Sequence, residues 1–324
     1  MKQHENRVTR RKFVGISAAV AASSILCRNL GAEELVKPNS KFNGVQIGAI
    51  TYSFRGMPGS AEDLLKYLIQ CGLSSVELMG EPVEQFAGIP AFGRSGGGPG
   101  RRQMTDEQKQ AMQQKLEEQR NWRLSVSMDK YKELRKLYND AGVTIHIVKF
   151  GNIGDANMTN EEIDYYFNVA KALGAKGITR ELSEDAAKRL GPIADKHKIM
   201  IGFHNHTQMT PTTYDGPILS YGNYMGINFD VGHYVAGTNE SPIPIIQKFH
   251  DRILSLHIKD RKVNNGPNMP LGQGDTPVAL ILQRMKKEGW TFPADIELEY
   301  QIPEGSDAVA EVTRCVQFCK EALA

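Results

Sequence analysis

The chain has 324 residues, with 39 Lys/Arg against 37 Asp/Glu and a formal net charge of +2. Six of those cations but one acid fall in residues 1–32, leaving 33 against 36, so no basic stripe argues for nucleic acid or a membrane surface. Cys71, Cys315 and Cys319 lie beyond that segment without metal-site spacing and read as core or surface thiols. The remaining length suits one large domain with an ample core.

The elements begin with an address. Thr9-Arg10-Arg11-Lys12-Phe13-Val14 resembles a twin-arginine export signal. The uncharged stretch Phe13–Cys27 behind it is too short for a retained membrane helix and suits the apolar region of a signal peptide. The expectation is a signal peptide over residues 1–32, a linker over 33–43, a single domain over 44–324 and a periplasmic or otherwise exported protein. Such export carries folded proteins that often hold a cofactor or metal, into a compartment where phosphorylated metabolites are scarce.

Strands are expected at Val45–Phe54, Ser75–Met79, Val143–Lys149, Gly177–Arg180, Ile199–His204, Gly226–Phe229, Leu254–Ile258 and Ala294–Tyr300. Helical stretches fall between most of them, for example Ala61–Cys71, Asp106–Arg120, Glu161–Leu173, Ser183–His197, Pro277–Glu288 and Asp307–Ala324. Several close on glycine, as at Cys71-Gly72, Ala141-Gly142, Leu173-Gly174 and Glu288-Gly289. Eight strands alternating with helices favour a (β/α)8 TIM barrel over an open doubly wound sheet, and neither GxGxxG after the first strand nor a phosphate loop appears. The glycine-rich run Gly88–Gly100 reads as a loop over the barrel mouth.

Active sites of such barrels lie at the C-terminal ends of the strands. Of the seven histidines beyond residue 32, His204, His206, His233 and His257 fall at or just past a strand end, whereas His146 is mid-strand and His197 and His250 close helices. Glu77, Glu181, Asp230, Glu297 and Glu299 follow the same trend. In an extended chain His204 and His206 share a face, with Asn205 opposed. Imidazoles and carboxylates without thiolates suit Mn²⁺, Zn²⁺, Co²⁺ or Mg²⁺. The set from successive strands is His204, Asp230, His257 and Glu299, with Glu297 a competitor on the same face; Glu299 is preferred as nearer the mouth, and Glu181 could add a carboxylate.

Phe203-His-Asn-His206, Asn228-Phe-Asp-Val-Gly-His233, Leu256-His-Ile-Lys-Asp260, Leu271-Gly-Gln-Gly-Asp275 and Ile296-Glu-Leu-Glu-Tyr300 give the chain a resemblance to the sugar phosphate isomerase/epimerase superfamily, the xylose-isomerase-like barrels. The resemblance spans Gly48 to the last helix. It implies a divalent metal held by Glu, Asp, His and Glu of the last four strands, three of which Asp230, His257 and Glu299 match. It also makes His233 similar to a substrate-contacting histidine of the epimerases. At the fifth strand many relatives read Glu-Asn-His where this chain reads His204-Asn205-His206. That change keeps ligation available but alters proton chemistry, and it resembles exported relatives acting on oxidised, keto-type sugars or glycosides.

The chemistry so implied is proton abstraction next to a carbonyl, with a bound cation stabilising the enediolate. His206 or His233 would serve as acid or base with Glu299. Glu77, His233, Lys259 and Arg261 would contact substrate, and Leu271–Asp275 would form a tight substrate-side loop. The expected activity is a metal-dependent isomerase or epimerase on an unphosphorylated sugar, keto-sugar or cyclitol. A lyase or hydratase on 3-keto-glycosides, a non-catalytic periplasmic sugar-binding protein and an endonuclease IV-like activity are the rivals. The expected partner is a small carbohydrate; self-association is left open.

Overall fold

The computed structural model describes residues 37–91 and 105–324. The signal segment, the start of the linker and most of the glycine-rich run lie outside the described residues. Eight parallel strands close into a barrel: β1 (Val45–Ile50), β2 (Ser75–Met79), β3 (Thr144–Lys149), β4 (Gly177–Glu181), β5 (Met200–His204), β6 (Met225–Asp230), β7 (Ile253–Ile258) and β8 (Ala294–Ile296). Closure comes from β8 pairing with β1, which pairs in turn with β2. A short strand at Lys41–Phe42 adds antiparallel to β1.

The outward face of each strand is apolar and meets the helices: Ile47, Val76, Ile145, Ile178, Ile201, Ile227, Leu256 and Ile296 are all at most 2% exposed. The crossover helices are α1 (Ala61–Gln70), α2 (Gly80–Ala87), α3 (Asp106–Ser125), α4 (Asp129–Asp140), α5 (Asn160–Leu173), α6 (Glu184–His197), α7 (Val231–Thr238), α8 (Ile243–Phe249), α9 (Val278–Glu288) and α10 (Ala308–Ala322). Side-chain caps start six of the ten, with capping boxes at Thr105/Gln108 and Thr159/Glu162. Gly174 and Gly289 end α5 and α9 with φ of +75° and +67°, values that favour glycine. Cys71, Cys315 and Cys319 are buried free thiols. No helix among the described residues is long and apolar enough to cross a membrane.

Two strands are shorter than the sequence pattern suggests. β1 ends at Ile50 and turns into a 3₁₀ segment, Thr51–Phe54, and β8 stops at Ile296 instead of running to Tyr300. One side chain replaces the missing ladder: the Ser53 hydroxyl donates to Ile296 O at 3.1 Å and accepts from Leu298 N at 2.9 Å. Apolar alternation continued through both segments, whereas the pairing did not.

The strand faces pointing into the barrel are unusual for this architecture, whose interiors are normally filled by branched apolar side chains. Here they carry Ser75, Glu77, His146, Thr179, His204, Asn228, Asp230, Ser255, His257, Asp295 and Glu297, none more than 7% exposed. Near the N-terminal end His146 bonds Asp295 and Ser75, and Gly48 is needed beside them, since a Cβ there would lie 2.1 Å from Asp295 Oδ1.

Candidate active site

Register sets the levels of the upper cluster. Glu181 on β4 pairs with His204 on β5, which pairs with Asn228 on β6. A bulge between Ile227 and Asn228 shifts the next register, so that Asp230 pairs with His257 on β7. His204, Asp230, His257 and Glu297 thereby offer four donor atoms lying within 4.8 Å of one another, all buried.

The support beneath them is explicit. Asn228 Oδ1 lies 2.8 Å from His204 Nδ1, turning the ring so that Nε2 is free. Asn228 in turn donates to Ser255 Oγ and to Glu77 Oε2. Glu77 accepts from Thr179 Oγ1 at 2.6 Å and lies 3.0 Å from His257 Nε2; His257 Nδ1 lies 3.1 Å from Glu297 Oε2. Asn205 locks the end of β6, accepting from Asp230 N and donating to Asp230 O. Its place one residue past the end of β5, opposed to His204, is what lets it do so.

Charge in this cluster is dense. Burial opposes a charge on His257, but the Glu77 and Glu297 carboxylates overcome it and hold the imidazole's pKa up at about 10. Burial also works against the Glu297 carboxylate, yet Lys259 and His257 bring it well below the ordinary range. Burial raises Asp230, with Lys259 only partly offsetting it. Burial, then Lys149 and His257, keeps His204 neutral. The Lys259 ammonium lies 3.1 Å from Asp230 Oδ2, 2.8 Å from Glu297 Oε2, 2.6 Å from Glu299 Oε2 and 2.9 Å from His233 Nε2. Burial would lower its pKa, and the three carboxylates raise it instead.

Above the cluster opens a cavity of about 430 Å³, lined by Tyr52, Met79, Lys149, Glu181, His206 and Glu299 among others. On one side Glu181 sits 3.4 Å from His206 Nε2 and 3.0 Å from Lys149 Nζ. On the other, His233 is held by Lys259 and by Arg261 Nη1, 2.7 Å from its Nδ1. Burial, with Lys259 next, takes the His233 pKa down to about 3.

The placements sharpen the sequence reading at several points. Of the two carboxylates on one face of the eighth strand, it is Glu297 that lies with His204, Asp230 and His257; Glu299 stands one level higher at the rim, against Lys259. Glu181 belongs with His206 and Lys149 and lies apart from the four-donor set. Glu77 is corrected from a substrate contact to a buried support: it is 0% exposed and its oxygens face Thr179, Asn228 and His257. Arg261 braces His233 and the carbonyl of Gly266. The loop Leu271–Asp275 does not line the cavity; the buried Asp260 carboxylate clamps it by accepting from Gly272, Gly274 and Thr276 N. Asn228, Thr179, Ser255, Lys149 and Asp260 were missed from sequence, the first four because they sit inside strand patterns.

A divalent ion fits these residues. Asp230 Oδ2 is buried with only the Lys259 ammonium beside it at 3.1 Å, His204 Nε2 is free, and the donors are the nitrogen and oxygen atoms such ions take. Glu77 behind His257 is the carboxylate that commonly orients a metal-bound histidine.

The fold is shared with a probable 3-DHS dehydratase involved in petrobactin synthesis in Bacillus anthracis (13% identity, 84% of this chain and 98% of that one, TM-score 0.59). It is shared too with a sugar phosphate isomerase/epimerase from Parabacteroides distasonis (18%, 85% and 93%, 0.54) and with an L-ribulose 3-epimerase (11%, 86% and 95%, 0.55). No curated protein matches the chain in sequence. The family model described as a xylose isomerase-like TIM barrel matches residues 110–317, well over half of the chain, and the chain belongs to that family.

Proposed function

We propose that the protein is a divalent-metal-dependent sugar isomerase or epimerase, exported by the twin-arginine route, acting on an unphosphorylated sugar, keto-sugar or cyclitol by moving a proton next to a carbonyl. One observation carries this: four buried nitrogen and oxygen donors converge beneath a cavity whose rim holds His206, His233 and Glu299. His204, Asp230, His257 and Glu297 would hold the ion, which when bound supplies positive charge beside the substrate's carbonyl oxygen.

The chain's own residues do the rest. His206 and Glu299 come from opposite arcs of the mouth, β5 and β8, so a sugar between them meets a proton acceptor on each side. Glu181 orients His206, and Lys259 fixes the position of Glu299 through a contact of 2.6 Å. His233 is held neutral by its surroundings, its Nδ1 fixed by Arg261, and its Nε2 would exchange Lys259 for a substrate hydroxyl. Tyr52, 38% exposed at the cavity wall, would add aromatic surface for the sugar's C–H groups. The imidazole of His204 in place of the usual glutamate leaves Glu299 without a facing carboxylate at that position. This favours as a second reading a lyase or hydratase on 3-keto-glycosides, in which the abstracted proton is not returned and a β-substituent departs.

Incubating the exported protein, purified without chelator, with a panel of sugars and keto-glycosides in D₂O plus Mn²⁺ tests both readings. Deuterium at the carbon next to the carbonyl of an epimer or ketose is expected for the first reading, and an unsaturated product that has lost that hydrogen for the second. Absence of both stoichiometric divalent ion and solvent deuterium would leave a sugar-binding protein and sink the enzyme reading.

A further inference from the structure

More chain lies between β2 and β3 than a barrel crossover needs. α4 is the helix that packs on the barrel, with Tyr131, Leu134 and Tyr138 fully buried. α3 precedes it, runs for 20 residues and buries only Gln119. The core holds such a helix little, through Trp122 edge-on to Tyr165. Polar contacts anchor it instead: Arg123 grips Glu84 of α2 through two bonds at 2.7 and 3.1 Å, and Arg120 reaches Glu162 of α5 at 3.0 Å. Gln119 Nε2 donates to Pro90 O. These ties hold α3 as a wall.

What it walls is a second cavity of about 790 Å³, closed on its other sides by α2 and the loop after β3. Met79 and Lys149 line both this cavity and the 430 Å³ one above the buried cluster, so the two adjoin at these side chains. The smaller part alone is within the roughly 300–1,000 Å³ range of single-ligand pockets, and a second compartment of larger size is superfluous for one sugar ring.

We propose that this second compartment is a subsite for a further sugar ring, so that the substrate is a neutral glycoside of at least disaccharide size. Its reacting ring would lie over His204, Asp230, His257 and Glu297, and its second ring between α3 and the loop after β3. The proposal rests on the carbohydrate reading above and names its substrate class. The lining chemistry points to a neutral, hydroxylated partner. Among the described residues the three cations on its walls are all paired, Arg123 with Glu84, Arg120 with Glu162 and Lys149 with Glu181, leaving none for a phosphate or carboxylate. The side-chain amides of Gln113 and Asn152 bond to no described residue and can meet hydroxyls, while Leu116 and Met158 present apolar surface to C–H faces.

Calorimetric titration of the full-length protein with cellobiose, maltose and sucrose beside glucose tests this. At least one disaccharide is expected to bind about tenfold or more tightly than glucose, and Leu116→Trp and Gln113→Trp, both at exposed helix positions, should each shrink that ratio severalfold. No disaccharide binding better than glucose, or an advantage surviving in both variants with circular dichroism unchanged, overturns the subsite. A disaccharide advantage without solvent deuterium entering any sugar supports the subsite and counts against the proton-transfer reading, so the two failures are distinguishable.

Discussion

The two ends of this barrel's interior contain the same chemical pair in different company. Near the N-terminal end His146 lies 2.8 Å from Asp295 Oδ2 and 2.9 Å from Ser75 Oγ, both atoms deep inside. Near the mouth His257 lies between Glu77 and Glu297 at 3.0 and 3.1 Å. Each end also has a carboxylate oxygen outside its histidine pair, Asp295 Oδ1 below and Asp230 Oδ2 above. Below, that oxygen is packed against Gly48, and no second imidazole among the described residues bonds to the pair. Above, it faces His204, His257, Glu297 and the Lys259 ammonium under an open cavity. A buried histidine–carboxylate pair is therefore a packing solution by default; convergent spare donors and access to solvent make it a site.

Removing each histidine separates the two ends most sharply. His257→Ala takes away a donor, and since losing even a supporting partner behind a metal ligand lowers affinity about 10–100-fold, divalent affinity should fall by on the order of 10²-fold or more, with turnover. His146→Ala should leave that affinity alone and lower the unfolding free energy by about 3 kcal/mol, the usual result of stripping one partner from a buried pair. Chelator competition and urea unfolding on both variants decide it, and equal effects on metal affinity would erase the distinction.

A smaller effect is expected from the ammonium that only the upper end possesses. Lys259 stands within 3.1 Å of the carboxylates of Asp230, Glu297 and Glu299, so a divalent ion entering there meets a like charge and must displace it. Lys259→Met keeps the stem and removes the charge; divalent affinity should rise about tenfold. Weaker binding in that variant would mean that Lys259 organises the donors instead of contesting them.

How much of this was legible in the sequence depends on which physical rule each feature obeys. The barrel was readable because apolar outer faces, glycine-closed helices and the eightfold alternation are local patterns. The inward direction of Glu77, Glu297 and Glu299 was readable from period-two alternation. Their depth was not, since parity cannot say where a ladder ends: β8 stops at Ile296 through the Ser53 hydroxyl, which leaves Glu297 in the cluster and Glu299 at the rim. Glu77 has its fate decided by Thr179 and Asn228 from distant strands. Those uncharged residues looked like ordinary strand interior. α3, almost wholly polar, announced a helix but not the wall it builds.

The gentlest comparison of the two ends uses pH. His257 has a folded pKa of about 10, above its ordinary 6.5, because Glu77 and Glu297 outweigh the opposing effect of burial. A group raised in this way contributes stability that is fully present below about pH 6.5 and lost as pH climbs through about 10. Ligation needs the same ring to give up a proton, so the linkage runs oppositely for the metal. Between pH 7 and 9 divalent affinity should rise by up to about tenfold per unit, the limit for one released proton. Over the same range the protein in chelator should grow less stable to urea. In His257→Ala both slopes should flatten, whereas His146→Ala should retain them, because the pair at the closed end shares no atoms with the donors above. An affinity independent of pH in the wild type would show that the ring between Glu77 and Glu297 already donates a lone pair at neutrality, and the two ends would then differ in access alone.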